Sequence, residues 1–257
     1  MLILTAYVSH LEWPALDVGS NTRVLVTGGS RGIGAAIGDA FEARGCAVGR
    51  VSRSGEPSAD VADRESIGRA VEGFGAVDVL VANAGIAHYL PFTEMPPELI
   101  EQLTRVNWLG TAYTVQAALP GMLDRGRGHV VIVSSGAGIR SFPGAAVYGA
   151  TKAAQRGFGE ALRHELKGTG VGLTMVYPGQ IRSSLHDHEK ERMPDWYRLE
   201  RGAPAEPLAK ALVEAVEKDR REVFYPSNVK LLRIAHGVRP ALADAMLRRI
   251  MHRSAAP

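Results

Sequence analysis

Cysteine is almost missing: Cys46 is the single one in 257 residues. No disulfide can form within the chain, and a reducing, cytoplasmic setting is expected. Lysine is scarce too, with 6 lysines against 24 arginines, a bias read as codon composition rather than function. Neither sign of charge dominates. The 30 basic and 27 acidic residues leave a formal charge of +3, too little to make nucleic acid the main partner. No run approaches the ~18 consecutive apolar residues that a spanning helix needs. The first 22 residues, Met1 to Thr22, open apolar at Leu2, Ile3 and Leu4. They lack a basic start and contain Glu12, Pro14 and Asp17, which makes a poor signal peptide. They read as a disordered or loosely packed N-terminal extension. These absences exclude a disulfide scaffold and a membrane span. What is left is a soluble globular chain, 46% hydrophobic and 22% charged, long enough to bury a large core.

Short apolar runs alternate with helical spacing along the remainder. Arg23 to Thr27, Cys46 to Ser52, Val77 to Ala82, His129 to Ser134, Val171 to Tyr177 and Glu222 to Tyr225 read as strands. Ile33 to Arg44, Ala62 to Glu72, Leu99 to Leu123, Val147 to Lys167 and Ala205 to Lys218 read as helices. Strands separated by helices need right-handed crossovers, which give a parallel sheet covered on both faces. The order predicts one doubly wound α/β domain of the Rossmann kind over residues 23–257. Its mostly parallel sheet is expected to have seven strands. No internal repeat or low-complexity linker divides it.

Chemistry concentrates where strands end. Thr27-Gly28-Gly29-Ser30-Arg31-Gly32-Ile33-Gly34 joins the first strand to the first helix. Glycines there allow a tight turn and bring backbone N–H groups and a positive helix end close to a pyrophosphate. The spacing is not that of G-x-G-x-x-G. Tyr148 and Lys152 stand four apart on a predicted helix and so share a face. A cation beside a phenol favours the phenolate and lowers its pKa, which would suit the phenol to proton exchange at neutral pH. By itself Y-x-x-x-K is a weak signal that an ordinary surface pair would also give.

The ordered set resembles the short-chain dehydrogenase/reductase family. The glycine turn matches its T-G-x-x-x-G-x-G, Asn83-Ala84-Gly85 its N-A-G, and Val106-Asn107-Trp108-Leu109-Gly110 its V-N-x-x-G. Ser134-Ser135 closes the fourth strand, Tyr148 and Lys152 give Y-x-x-x-K, and Pro178-Gly179 with Ile181 and Ser183 resembles P-G-x-I-x-T. The match runs from Arg23 to Ser184. It implies hydride transfer between a nicotinamide and a carbonyl/alcohol pair. Tyr148 would be the acid/base, Ser135 the residue holding the substrate oxygen, Lys152 the holder of the nicotinamide ribose, and Asn107 the support of a water feeding protons toward Lys152. The cofactor would lie along Gly28, Ser30, Arg31, Ile33 and Gly34, then Asp60 and Val61, Asn83 and Gly85, and finally Tyr148, Lys152, Pro178, Gly179, Ile181 and Ser183. A nucleotide-sensing regulator on the same fold is the alternative of a different class. It should have lost part of the set Asn107, Ser135, Tyr148 and Lys152, all of which stand here.

An NAD-preferring enzyme places a carboxylate after the second strand. Here that end reads Val51-Ser52-Arg53-Ser54, and Arg53 with Arg31 could clamp a 2′-phosphate, so NADP(H) is expected. Residues 183–204 correspond to the family's substrate lid and carry Leu185, His186, His188, Met193, Trp196 and Tyr197. They suggest an apolar substrate of the lipid, steroid or aromatic ketone kind. His186, Asp187 and His188 are read as part of a charged, solvated lid rather than a metal site, so no metal is expected. His88, Tyr89, Phe142 and Pro143 are further candidates for the pocket wall. The tail over residues 227–257 is helical and basic. It fits a helix docked on the body or on another subunit, with a peripheral membrane contact as the second reading. Relatives pair the long helices between subunits, which implies a homo-oligomer, dimer or tetramer.

Overall fold

The computed structural model describes residues 16–189 and 202–253. Met1 to Ala15 of the expected extension, and Met193, Trp196 and Tyr197 of the expected lid, lie outside them. Strands are β1 (Arg23–Thr27), β2 (Ala47–Val51), β3 (Val79–Ala82), β4 (Gly128–Val133), β5 (Val171–Pro178) and β6 (Glu222–Tyr225). Helices are α1 (Gly32–Glu42), α2 (Arg64–Phe74), α3 (Pro97–Leu103), α4 (Gly110–Asp124), α5 (Ala146–Glu165), α6 (Glu206–Glu217), α7 (Asn228–Val238) and α8 (Pro240–Arg253).

The sheet of the described residues has six strands, in the order β2-β1-β3-β4-β5-β6, and every neighbouring pair is parallel. The expected seventh strand is not among them. After β6 the apolar residues recur at helical rather than alternate spacing, and the chain enters α7 and α8. Side chains alternate between the two faces of each strand. In β1, Val24 and Val26 pack with Ile37 and Phe41 of α1 and Leu208 and Leu212 of α6. Leu25 packs on the other face with Ile67 of α2, Met122 of α4 and Leu162 of α5. The end of the expected extension is not loose. Leu16 is buried against the α1–α6 side of the sheet, and the Thr22 hydroxyl donates to the Asp17 carbonyl at 3.1 Å.

The long helix expected over Leu99 to Leu123 is interrupted. Between α3 and α4, Thr104–Leu109 forms a π-helical turn. Such turns widen the helix and are frequent at functional sites. The reason lies in tertiary hydrogen bonds. The Asn107 carbonyl accepts from Gln155 Nε2 at 2.9 Å and from the Thr111 hydroxyl at 2.8 Å. These side chains take over an acceptor that a regular helix would use for itself.

A buried polar cluster lies between β4 and β5 beside the loop that leads into β6. His129 of β4 is hydrogen-bonded to the Thr174 hydroxyl at 2.8 Å, with Asp219 at 3.8 Å from its ring. Burial, then the nearby Arg163, pushes His129 down to about 3. Burial pushes Asp219 up to about 6, against the pull of Arg163 and Arg221. The ordinary values are 6.5 for His129 and 3.8 for Asp219. His129 therefore contributes stability above pH 6.5 that is lost as pH falls toward 3. Asp219 does the reverse: its contribution is present below 3.8 and lost as pH rises through 6. Between about pH 4 and 6 the two slopes oppose, each near 1.4 kcal/mol per pH unit at most. Asp219→Asn removes one slope. In urea unfolding across pH 4–7, the variant should lose about 1 kcal/mol more per pH unit on acidification than the parent. Parallel profiles would show that the cluster does not titrate in this way.

Candidate active site

The site is built at the ends of β1 and β3, where the winding direction of the sheet reverses. Crevices at such points are where ligands enter open α/β sheets. Thr27 and Asn83 tie the two strand ends together. Asn83 Nδ2 donates to the carbonyls of Thr27 at 3.0 Å and Gly28 at 3.3 Å. The N–H groups of Asn83 and Ala84 both donate to the Thr27 hydroxyl, at 3.1 and 3.2 Å. The glycines are required by this closeness. Gly28 and Gly32 have φ of 66° and 57°, the left-handed region that favours glycine. A Cβ on Gly34 would collide with the Gly28 carbonyl oxygen and stand 2.6 Å from Asn83 Nδ2. Arg31 precedes α1 without a side-chain cap, so the helix's first N–H groups are left facing the crevice.

A cavity of about 690 Å³ opens over this turn. Its walls include Gly28, Ser30, Arg31, Ile33 and Gly34 of the first turn, with Arg53, Asp60 and Val61 beyond β2. Asn83 and Gly85 follow β3; Pro178, Gly179, Ile181 and Ser183 follow or end β5. Ser135, Tyr148 and Lys152 stand on the same wall. The fold thus collects from six separated segments the residues expected to hold a dinucleotide. Of the four residues expected to carry the catalysis, Asn107 alone is set back from the cavity, fully buried behind the wall. Its Oδ1 accepts from the Ile86 N–H at 2.8 Å, and its Nδ2 donates to the Ile86 carbonyl and the Thr151 hydroxyl, each at 3.0 Å. With its carbonyl also engaged by Gln155 and Thr111, Asn107 serves here as a staple under the loop after β3. Its side chain is not turned to solvent.

Tyr148 and Lys152 lie on the first turns of α5 and are both about 4% exposed. Two bonds fix that helix to the end of β4. Lys152 Nζ donates to the Val133 carbonyl at 3.1 Å, and the Ser134 hydroxyl donates to the Lys152 carbonyl at 2.8 Å. Ser134 is therefore a positioning group, while the neighbouring Ser135 hydroxyl accepts from the Ala137 N–H at 3.1 Å and borders the cavity. Burial pushes the Tyr148 phenol up to about 12, with Ser135 acting the other way. Burial pushes Lys152 down to about 7. This corrects the expectation of a phenol lowered by its neighbouring cation. The ammonium stands 6.0 Å from the ring centroid, and loss of water outweighs its pull.

The described start of the expected lid is packed down rather than solvated. His186 and Glu189 are 5% and 1% exposed. The Tyr89 hydroxyl meets His186 Nδ1 at 3.1 Å, and Glu189 holds His88 Nδ1 at 2.7 Å and the Tyr89 N–H at 3.2 Å. The Tyr89 ring meets Tyr148 edge-on, with centroids 5.9 Å apart, and also packs on Phe142. His186 and Leu185 reach the cavity wall. Tyr89 and Phe142 back that wall instead, and Pro143 is exposed. Sequence reasoning missed one wall, formed by Glu98, Glu101, Gln102 and Arg105 around α3. Their i, i+3, i+4, i+7 spacing was the available signal. It also missed Gln155, whose role depends on a contact between distant helices.

Residues 58–194 match the short chain dehydrogenase family. An oxidoreductase of Myxococcus xanthus is 37% identical over 177 residues, which cover 68% of each chain. The chain belongs to the short-chain dehydrogenase family. A 3-dehydrosphinganine reductase of Arabidopsis thaliana is 30% identical over 194 residues, covering 67% of this chain and 59% of that protein. The crystal structure of a short-chain dehydrogenase from Streptomyces avermitilis superposes with a TM-score of 0.75 at 28% identity, covering 89% of this chain and 98% of that one. The protein is an oxidoreductase of a family that uses a nicotinamide cofactor and acts on alcohol and carbonyl groups.

The packing at Gly34 gives a direct test of the turn. Gly34→Ala should cost about 1–3 kcal/mol of stability by overpacking and weaken nicotinamide dinucleotide binding. Thermal unfolding with and without the dinucleotide measures both. A variant with unchanged Tm and dinucleotide affinity would contradict the closeness described.

Proposed function

We propose that this short-chain dehydrogenase is an NADP(H)-dependent reductase or dehydrogenase of apolar carbonyl/alcohol substrates. The observation that carries the cofactor reading is that Arg31 and Arg53 both border the cavity, with Ser52 rather than a carboxylate after β2. A 2′-phosphate there would meet two guanidinium groups and no opposing carboxylate at that strand end. The glycine turn, the open N-terminus of α1 and the adjoining cavity fit the rest of the dinucleotide. When bound, the nicotinamide would supply or accept the hydride at the substrate carbon.

The chain's own residues would manage the oxygen. Tyr148, held protonated by burial, gives its proton to the developing alkoxide in reduction and takes it back in oxidation. The Ser135 hydroxyl holds the same oxygen and steadies its charge. Lys152, lowered to about 7 by burial, can lose and regain a proton near neutrality and would hold the nicotinamide ribose. Ile86 and Leu185 supply apolar wall, and the similarity to a 3-dehydrosphinganine reductase supports an apolar substrate. The π-helical turn before α4 and the helix α5 carry the Trp108–Phe158 contact, at 5.3 Å between centroids, on surfaces suited to self-association as a dimer or tetramer.

A panel of aromatic, steroidal and long-chain ketones tested for NADPH and NADH consumption would identify the substrate class. With the best ketone, Tyr148→Phe should lower kcat by about 10²–10⁴-fold while NADPH binding changes little. Turnover near that of the parent would remove Tyr148 from the acid/base role.

Arg53→Ala should lower kcat/KM for NADPH by about tenfold or more, the worth of one charge-assisted bond to phosphate, and leave NADH nearly unchanged. A parent enzyme preferring NADH, or an equal loss with both cofactors, would overturn the assignment of Arg53.

A further inference from the structure

We propose that the outer face of α7 and the start of α8 form a docking surface for an anionic lipid bilayer. Helix α7 is apolar on two opposite sides. Val229 and Leu232 pack into the body of the domain. Leu231, Ile234 and Val238, at i, i+3 and i+7, lie half a helical turn away from them and are 58%, 53% and 76% exposed. Leu242, on the first turn of α8, extends the ridge and is 48% exposed. Of the six large apolar side chains exposed among the described residues, these four fall within twelve residues of sequence. A soluble surface scatters such residues singly; a contiguous ridge marks a contact.

The charges around the ridge select the partner. Lys230, Arg239, Arg248 and Arg249 are exposed, and none of them forms an ion pair with a carboxylate among the described residues. Arg233 is taken up by Glu160 at 3.2 Å. Asp244, the single acidic residue between Ser227 and Pro257, pairs with Arg140 of the body. A second copy docked about a two-fold axis would set this basic patch against itself. An aliphatic ridge flanked by free cations matches acyl chains beneath anionic headgroups, the arrangement of an interfacial helix. Two further contacts seat the pair of helices on the domain: Leu247 of α8 packs beside the Tyr148 cluster, and Ala243 is fully buried. The exposed face is therefore presented by a fixed element. This proposal does not depend on the cofactor or substrate reading.

The test uses the full chain and sedimentation with vesicles, either of phosphatidylcholine alone or containing about 30% phosphatidylglycerol. Binding to the anionic vesicles should be about tenfold tighter or more, and most of it should be lost near 0.5 M salt, where the Debye length falls to about 4 Å. The double variant Leu231→Ser, Val238→Ser should weaken binding by about tenfold or more with Tm unchanged, because both side chains are exposed. The double variant Lys230→Glu, Arg239→Glu should remove the preference for anionic vesicles. No sedimentation of the parent with anionic vesicles would overturn the proposal, as would equal binding by parent and both variants. Conversion of a dimer to a monomer by the serine variant, seen by light scattering without any vesicle binding, would assign the face to a second copy. Retention on polyglutamate without vesicle binding would assign it to an acidic polypeptide.

Discussion

At the switch point between β1 and β3 two loops approach until no Cβ fits between them. Asn83 donates across the gap to the carbonyls of Thr27 and Gly28, and Gly34 faces the same carbonyl from the start of α1. This contact fixes the angle at which α1 leaves the sheet and the depth of the cavity above it. It also leaves the first N–H groups of α1 directed into that cavity, so the same constraint that closes the turn creates an anion-binding end. The parallel strands then deliver Ser135 and Pro178 to the same edge, because every strand points the same way.

Behind that edge the polar groups are sorted by what they bind. Asn107, Thr151, Thr111 and Gln155 bind one another or backbone groups, and all but the loop at Ile86 lie in helices. Their network occupies the π-helical turn and explains why a helix would adopt that geometry: the carbonyl of Asn107 is better satisfied from the side than along the axis. In front of it, Tyr148 and Lys152 are held with little water. Burial moves their proton affinities apart, up to about 12 for the phenol and down to about 7 for the amine, because each is driven toward its neutral form. Tyr148 is thereby kept as a proton donor, while Lys152 can change protonation state near neutrality. The packed His186, Tyr89 and Glu189 contribute to this dryness.

The polar cluster between β4 and β5 has a different role. His129, Thr174, Asp219 and Arg163 lie far from the glycine turn in the topology and border no part of the cavity. Their polar atoms are spent on strand–loop contacts, such as the Thr174 hydroxyl donating to the Arg220 carbonyl at 2.7 Å. The cavity is confined to the C-terminal ends of the strands, as expected when a parallel sheet aligns all its chain directions.

Local pattern alone was enough for much of this. Val24 to Val26, Val79 to Ala82 and Val130 to Val133 read as buried strands because short β-branched runs between breakers have few alternatives. Gly28, Gly34, Tyr148 and Lys152 could be named because fixed spacing along one turn or one helix face already places them together. Six strands rather than seven lie among the described residues, since nothing after β6 alternates with period two. The π-helical turn at Asn107, Gln155 as its partner, and the buried contacts of His186 and Glu189 were not legible, because each depends on groups 21 to 101 residues apart. The direction in which Tyr148 titrates was misjudged for a related reason. Sequence shows a lysine four residues away, whereas the balance between that charge and lost hydration is set by how deeply the fold buries them both. The two-sided apolar character of α7 shows the same division. Sequence determined that the helix is amphipathic and basic, and only the packing of Val229 and Leu232 decided which apolar face remains outside.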